Sequence, residues 1–259
     1  MIYGAANITA TSSDTSKDVA YFYEPDNGTV AMSPSQTIAT WTAPNPDGSG
    51  TSFSYKQTGN DFGYVDAIGQ GTTSNSATLT GAASGANAFV ATSLYSYMSG
   101  SGYFDVALFY DYTKGISQNS KSDMAYMYAP TGATASFENG PYTNPVNNQE
   151  IQNAAYMFKG DVTSTDIPYL ALGFDTVLAV GDPKTPTDTA ALFDGTGSNT
   201  FFANGTYGLM QQTTAGIKIS ATEFGTIIAN SENGNNDTKD LGSYSYMLKF
   251  INGGATSWM

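Results

Sequence analysis

A worn repeat constrains this chain more than any other feature of its sequence. Between Gly173 and Leu209 it reads GFDTVLAVGDPKTPTDTAALFDGTGSNTFFANGTYGL. An apolar run opened by an aromatic (Phe174 to Ala179) is followed by a polar turn. A second run (Asp188 to Phe193) then ends in the turn Asp194-Gly195-Thr196-Gly197-Ser198-Asn199. The opening run recurs as Phe62-Gly63-Tyr64-Val65, Phe104-Asp105-Val106 and Phe224-Gly225-Thr226-Ile227. The second run recurs around Ala20, Ala77 and Ala125, so that these alanines and Ala190 stand 57, 48 and 65 residues apart. The chain therefore reads as about five degenerate repeats with a loose period, and such periods decide the fold before any local reading does. Residues 1–259 are taken as a single repeat-built domain, with a loop insertion or hairpin flap at 44–60 and an irregular segment at 141–168.

Strands must carry the core. Gly, Pro, Asn, Thr and Ser interrupt almost every window of eight residues, and no amphipathic run with helical periodicity exceeds about two turns. The apolar runs are short, rich in Val, Ile, Tyr, Phe and Thr, and bounded by Gly- or Asn-containing turns. Ser93-Leu94-Tyr95-Ser96-Tyr97-Met98 alternates as a strand with one buried face does. Two architectures fit, a parallel β-solenoid and a β-sandwich, and the repeat favours the solenoid. In a solenoid Ala20, Ala77, Ala125 and Ala190, and likewise Phe89, Phe137 and Phe201, are expected to stack as interior columns. The segment from Gln149 to Phe158 reads either as a short helix or as a further rung.

Composition bounds the partners. Nine positive residues, all lysine, face 22 acidic ones, and His and Cys are absent. A chain of net charge −13 without Arg or His lacks the usual means of holding phosphate, so nucleic acid is not expected as a partner. Anionic membrane surfaces repel it as well, and no run approaches the roughly 18 apolar residues of a membrane-spanning helix. Without His the default general base and the commonest metal ligand are missing. The local acid pairs Asp105/Asp111, Asp161/Asp166 and Asp182/Asp188 have no supporting Arg, and read as solvated loop residues. No catalytic residue is assigned.

The run Gly173-Phe174-Asp175-Thr176-Val177 followed by Asp188-Thr189-Ala190-Ala191-Leu192-Phe193-Asp194-Gly195-Thr196-Gly197-Ser198-Asn199-Thr200-Phe201 resembles a unit of large secreted bacterial repeat proteins. Those units read Gly-Phe-Asp-x-Val and then Asp-Thr-Ala-x-Leu-Tyr-Asp-Ser-x-Gly-x-Asp-x-Phe. The turn is also similar to a degenerate RTX (haemolysin-type) calcium repeat. The resemblance covers most of the chain as a pattern and is close only in the fourth repeat. It implies an extracellular or cell-surface, non-catalytic, repetitive role in a β-solenoid. Calcium needs six or more oxygens, several from carboxylates, and the RTX aspartate is replaced by Asn199 here and by Asn87 in the second repeat. Two readings of Asp188, Asp194 and Asn199 stay open: an isolated calcium site completed by backbone carbonyls, or turn residues bonding their own backbone.

The function expected from these features is structural: a secreted subunit or segment of a self-associating fibre, surface layer or adhesin. The alternative is a carbohydrate-active β-solenoid enzyme or carbohydrate-binding module that uses an acidic groove and exposed Tyr or Trp41 to take a surface polysaccharide. Strand-like runs near both termini, Ile2 to Ile8 and Tyr244 to Ile251, hold one charge between them, Lys249. Head-to-tail homopolymerisation is expected there, burying Tyr3 and Ile8 against Met247, Phe250 and Ile251. Asn-x-Ser/Thr sequons at Asn7, Asn27, Asn204 and Asn236 are as many as this composition yields by chance.

Overall fold

The protein is all-β. A computed structural model describes residues 7–25, 27–44, 52–69, 75–119, 121–143, 150–160, 167–231 and 237–252. The chain divides into two compact units, Met1–Gln118 and Asn119–Met259, where sequence reading expects a single repeat-built domain. Each unit is a run of five-strand repeats.

In the first unit β1 (Asn7–Thr11) precedes two complete repeats. One comprises β2 (Val19–Glu24), β3 (Thr29–Ser33), β4 (Gln36–Pro44), β5 (Ser52–Asn60) and β6 (Tyr64–Gly69). The next comprises β7 (Ser76–Thr80), β8 (Ala88–Ala91), β9 (Tyr95–Gly100), β10 (Tyr103–Leu108) and β11 (Tyr112–Ile116). The strands form two mixed sheets, in the orders β1-β5-β4-β3-β7-β11 and β2-β6-β10-β9-β8. A repeat therefore places its first strand on one sheet, an antiparallel three-stranded meander on the other, and its fifth strand back on the first. The following repeat exchanges the two sheets.

The second unit obeys the same rule. One repeat holds β12 (Met124–Tyr128), β13 (Ala135–Thr143), β14 (Glu150–Lys159), β15 (Tyr169–Leu172) and β16 (Thr176–Val180). The next holds β17 (Thr189–Phe193), β18 (Asn199–Gly205), β19 (Tyr207–Gln212), β20 (Ile217–Thr222) and β21 (Thr226–Ser231). A shortened fifth repeat supplies β22 (Thr238–Tyr244) and β23 (Met247–Asn252). Its sheets run β15-β14-β13-β17-β21-β23 and β12-β16-β20-β19-β18-β22.

Three pairings recur. The first and fifth strands of a repeat pair in parallel, with Ala20 opposite Val65, Ala77 opposite Thr113, Ala125 opposite Val177 and Ala190 opposite Ile227. The first meander strand pairs in parallel with the first strand of the following repeat: Val30 faces Ala77, Phe137 faces Ala190 and Phe201 faces Lys239. The fifth strand pairs in parallel with the last meander strand of the following repeat, Val65 with Asp105 and Val177 with Ile219.

These sheets depart from a uniformly parallel coil. Each contains antiparallel meanders and neither closes on itself. The alanines do not form one column, because consecutive copies lie on opposite sheets; Ala20 and Ala77 are separated in this way, as are Ala125 and Ala190. Each instead sits beside a larger residue, so small and large side chains interlock across a ladder instead of stacking with their own kind. Phe89 and Phe137 are wholly buried, yet within the second unit Phe137 and Phe201 belong to different sheets. Phe104-Asp105-Val106 proves to be a last meander strand. The true counterpart of Phe174-Asp175-Thr176-Val177 is Tyr110-Asp111-Tyr112-Thr113. Of the insertion expected at 44–60, the described residues lie on the antiparallel strands β4 and β5, and Glu150 to Phe158 lie on β14; residues 45–51 and Gln149 fall outside the described residues.

Two backbone devices hold the repeats. At each exit from a meander one residue has positive φ: Asp61 (58°), Phe109 (60°), Gly173 (76°) and Glu223 (62°). An aromatic follows every time, as Phe62, Tyr110, Phe174 or Phe224. The left-handed residue turns the chain from one sheet to the other. The second device is close approach of the facing sheets: a methyl group at Gly59 would lie 2.9 Å from the Phe22 ring, and one at Gly115 would enter the Phe89 ring.

Candidate functional site

Terminal strands are the least satisfied part of the fold. Among the described residues, β1 of the first unit is bonded only to β5 and β2 only to β6; in the second, β22 is bonded only to β18 and β23 only to β21. A strand bonded on one side offers a row of N–H and C=O groups as a template for another chain. Large apolar side chains are exposed on them: Val19, Tyr21 (59%) and Tyr23 on β2, Leu241 and Tyr244 on β22, Met247 (58%) and Ile251 on β23. Between β1 and β2 an apolar groove of ≈ 280 Å³ opens, lined by Ile8, Ala10, Ala20, Phe22, Gly59 and Phe62 among others. It is the open end of the first unit's core.

At the other terminus Phe250 meets Phe201 edge-on, with ring centroids 5.7 Å apart. The Lys239 ammonium lies 5.3 Å above the Phe250 ring, a cation–π placement. By the ladder Lys239 occupies the place that Ala77 and Ala190 fill in complete repeats. A charge in that position is a known device for restraining an open edge. Of the residues expected at a joint, Ile8 and Phe250 lie on the core face, whereas Met247 and Ile251 lie on the outer face; Tyr3 falls outside the described residues. Sequence reading missed β22, since its Lys239-Asp240 pair breaks the apolar alternation.

Two buried carboxyls sit in the first unit. Asp105 on β10 is fully buried with no hydrogen-bond partner among the described residues, and burial raises its pKa to about 8. Glu24, at the end of β2, is likewise buried; burial raises it to about 7, and the neighbouring Tyr110 hydroxyl, although outside hydrogen-bond geometry, pulls it partly back. Burial and then the Glu24 charge raise Tyr110 in turn. Burial favours the protonated form of both acids, more strongly for Asp105 than for Glu24.

The expected metal residues do not converge. Asp188 and Asp194 stand at opposite ends of β17, separated by its five residues, on the order of 20 Å at the rise of a strand. Each Asp188 oxygen accepts a backbone N–H, from Ala135 at 2.9 Å and from Asp182 at 3.0 Å. Asn199 accepts from Gly195 N–H at 3.4 Å and donates its amide to the carbonyls of Gly195 (2.9 Å) and Gly197 (3.0 Å), and to Asp237 (3.0 Å). The amide thus binds the carbonyls that a cation would use. Asp188 belongs to a series. Before each first strand stands Asp18, Asn75, Asp123, Asp188 or Asp237. Three of these reach back one repeat to the N–H that opens its meander, Asn75 to Gly28, Asp188 to Ala135 and Asp237 to Asn199. In the Asp-x-Ala copy at Asp188 the aspartate is this staple.

The acid pairs divide similarly. Asp105 is buried while Asp111 accepts the N–H of Asn75. Asp182 receives Lys184 N–H and Gly132 N–H, and lies one hydrogen bond from Asp188. Asp161 and Asp166 fall outside the described residues. Two clefts went unread in the sequence because their linings come from distant segments. One of ≈ 810 Å³ in the second unit carries Glu138, Glu150 and Asp194. The other, ≈ 510 Å³ in the first unit, carries Trp41 and Tyr55, stacked at 5.4 Å and 8°, with Thr29, Thr40 and Lys56. Among the described residues no group of three or more His, Cys, Asp or Glu is arranged to hold a metal ion.

In comparisons with known proteins, no family model, no curated protein and no solved structure matches the chain.

Proposed function

We propose that this protein is a structural, extracellular β-solenoid, a self-associating subunit or segment of a fibre, surface layer or adhesin. The observation that carries the reading is the set of four strands, β1, β2, β22 and β23, that among the described residues are bonded on one side only, with apolar side chains exposed on three of them. The repeat architecture adds support, because any copy of a repeat is a ready template for another. A surface poor in charge and rich in Ser, Thr, Asn and Tyr suits exposure to water without ionic partners. Light scattering and negative-stain microscopy over a concentration series test it. The intact chain forms linear assemblies, and the double variant Met247→Lys, Ile251→Lys stays monomeric and folded. A monomer at millimolar concentration overturns the reading.

A second reading rests on Trp41 and Tyr55. Their coplanar rings beside threonine hydroxyls offer a sugar both an apolar face and hydrogen-bonding partners. Binding to a panel of neutral and acidic polysaccharides, lost in Trp41→Ala, together with release of reducing ends, would favour this module over the fibre.

A further inference from the structure

We propose that copies join so that the junction itself is one short repeat, with β22 of one copy against β1 of the next and β23 against β2. This deepens the self-association reading and rests on it. The argument is one of phase. Every complete repeat pairs its first strand in parallel with its fifth, as β2 with β6, β7 with β11, β12 with β16 and β17 with β21. Among the described residues the shortened repeat has a first strand, β22, and no fifth. At the other terminus β1 pairs in parallel with the last meander strand β5, as β6 does with β10 and β16 with β20. β1 thus holds the place of a fifth strand, with no first strand beside it among the described residues. Each terminus carries the half that the other needs.

The second contact follows by the same rule. A first strand also pairs in parallel with the opening meander strand of the preceding repeat, as β7 with β3, β17 with β13 and β22 with β18. β2 has no such neighbour among the described residues. β23 pairs in parallel with β21, taking the position of a last meander strand. The first and last strands of a meander run in the same direction, two antiparallel steps apart, so one strand serves as both. β23 is a meander reduced to a single strand, and its free edge has the direction β2 requires.

The ladder also sets the register. Across a complete meander Ile219, Met210 and Phe201 lie in one row, and Phe201 continues to Lys239. Leu248 stands opposite Ile227 as Ile219 stands opposite Val177. Leu248 therefore falls opposite Ala20 of the next copy, Phe250 opposite Phe22, and on the outer face Met247 opposite Val19. On the other sheet Lys239 falls opposite Ile8 and Leu241 opposite Ala10. The groove between β1 and β2 is lined by these same residues, Ile8, Ala10, Val19, Ala20 and Phe22. Lys239 is the charge directed into the joint, and its removal strengthens association.

The chain has no cysteine, so introduced thiols report cleanly. Met247 and Val19 are both exposed, and cysteine at either leaves the core untouched. Neighbours in a parallel pair fall within the roughly 4.4–6.8 Å Cα separation of a disulfide. Under mild oxidation the variant Val19→Cys, Met247→Cys gives a ladder of covalent oligomers in denaturing gels. The off-register control Val19→Cys, Ile251→Cys gives at least tenfold less. Lys239→Ala lowers the concentration of half-association at least tenfold. Association with a ladder only in the control overturns this junction and leaves the fibre reading standing. Absence of association in the parent chain and in Lys239→Ala overturns both.

Discussion

The ring of Phe89, on β8, fills the space that any side chain at Gly115, on the facing strand β11, would need. The large residue of one sheet is seated in the smallest residue of the other, and Phe22 with Gly59 repeats the arrangement. Gly115→Ala is expected to destabilise the protein by about 1–3 kcal/mol through overpacking. Gly140→Ala, where an added methyl meets nothing within 4 Å, serves as the control. Denaturant titration distinguishes the two; equal effects would show that the contact carries little.

The staple seen before three of the first strands can be tested at Asp188. Replacement by Ala strands the N–H groups of Ala135 and Asp182, at a cost of about 2–4 kcal/mol for two lost acceptors. Asp188→Asn keeps one acceptor, as Asn75 does in its own repeat, and costs less than half as much. Excess EGTA leaves the thermal midpoint of the parent chain unchanged; a fall of more than about 10 °C would mean that bound metal contributes through linkage.

Asp105 makes stability depend on pH. Its folded pKa, about 8, lies above the unfolded value. The stability linked to the protonated carboxyl is therefore full below about pH 4 and is lost as pH rises toward 8. Ile219 holds the matching place in the fourth repeat. Asp105→Val should remove most of the decline between pH 5 and 8 and raise stability at pH 7, with about 4 kcal/mol as a ceiling. Glu24, raised to about 7, leaves a smaller residual slope. Unfolding midpoints of parent and variant across this range settle the matter; parallel curves would sink it.

Phe109 holds φ 60° while 58% exposed, a conformation that costs a bulky residue about 1 kcal/mol. Its counterpart at the third corner is Gly173. Phe109→Gly should raise stability by about 0.5–1 kcal/mol in chemical denaturation. A loss would show that the ring makes contacts worth more than the strain.

Much of this was readable in the residues. The alanines chosen as markers all fall on first strands, and Phe89, Phe137 and Phe201 all fall on opening meander strands. Local patterns fix such things, because a buried position is apolar in most copies, with Asp105 an exception. The exchange of sheets was not readable. It depends on how many strands occupy a repeat, and β9 (YSYMSG) has the same alternation whether its neighbours run parallel or antiparallel to it. Phe104-Asp105-Val106 misled for a related reason: it has the letters of a fifth strand in the ladder position of a meander strand. The apolar end at β23 was visible, while β22 was hidden by Lys239 and Asp240.

An odd number of strands per repeat has a bearing on how such a chain can be lengthened or decorated. Within each unit successive meanders emerge on opposite sheets, so duplicating one repeat sends everything downstream to the other side. An epitope or tag grafted into every meander would be displayed alternately front and back, and only every second graft would share a side. Peptides meant to cooperate would have to be placed two repeats apart.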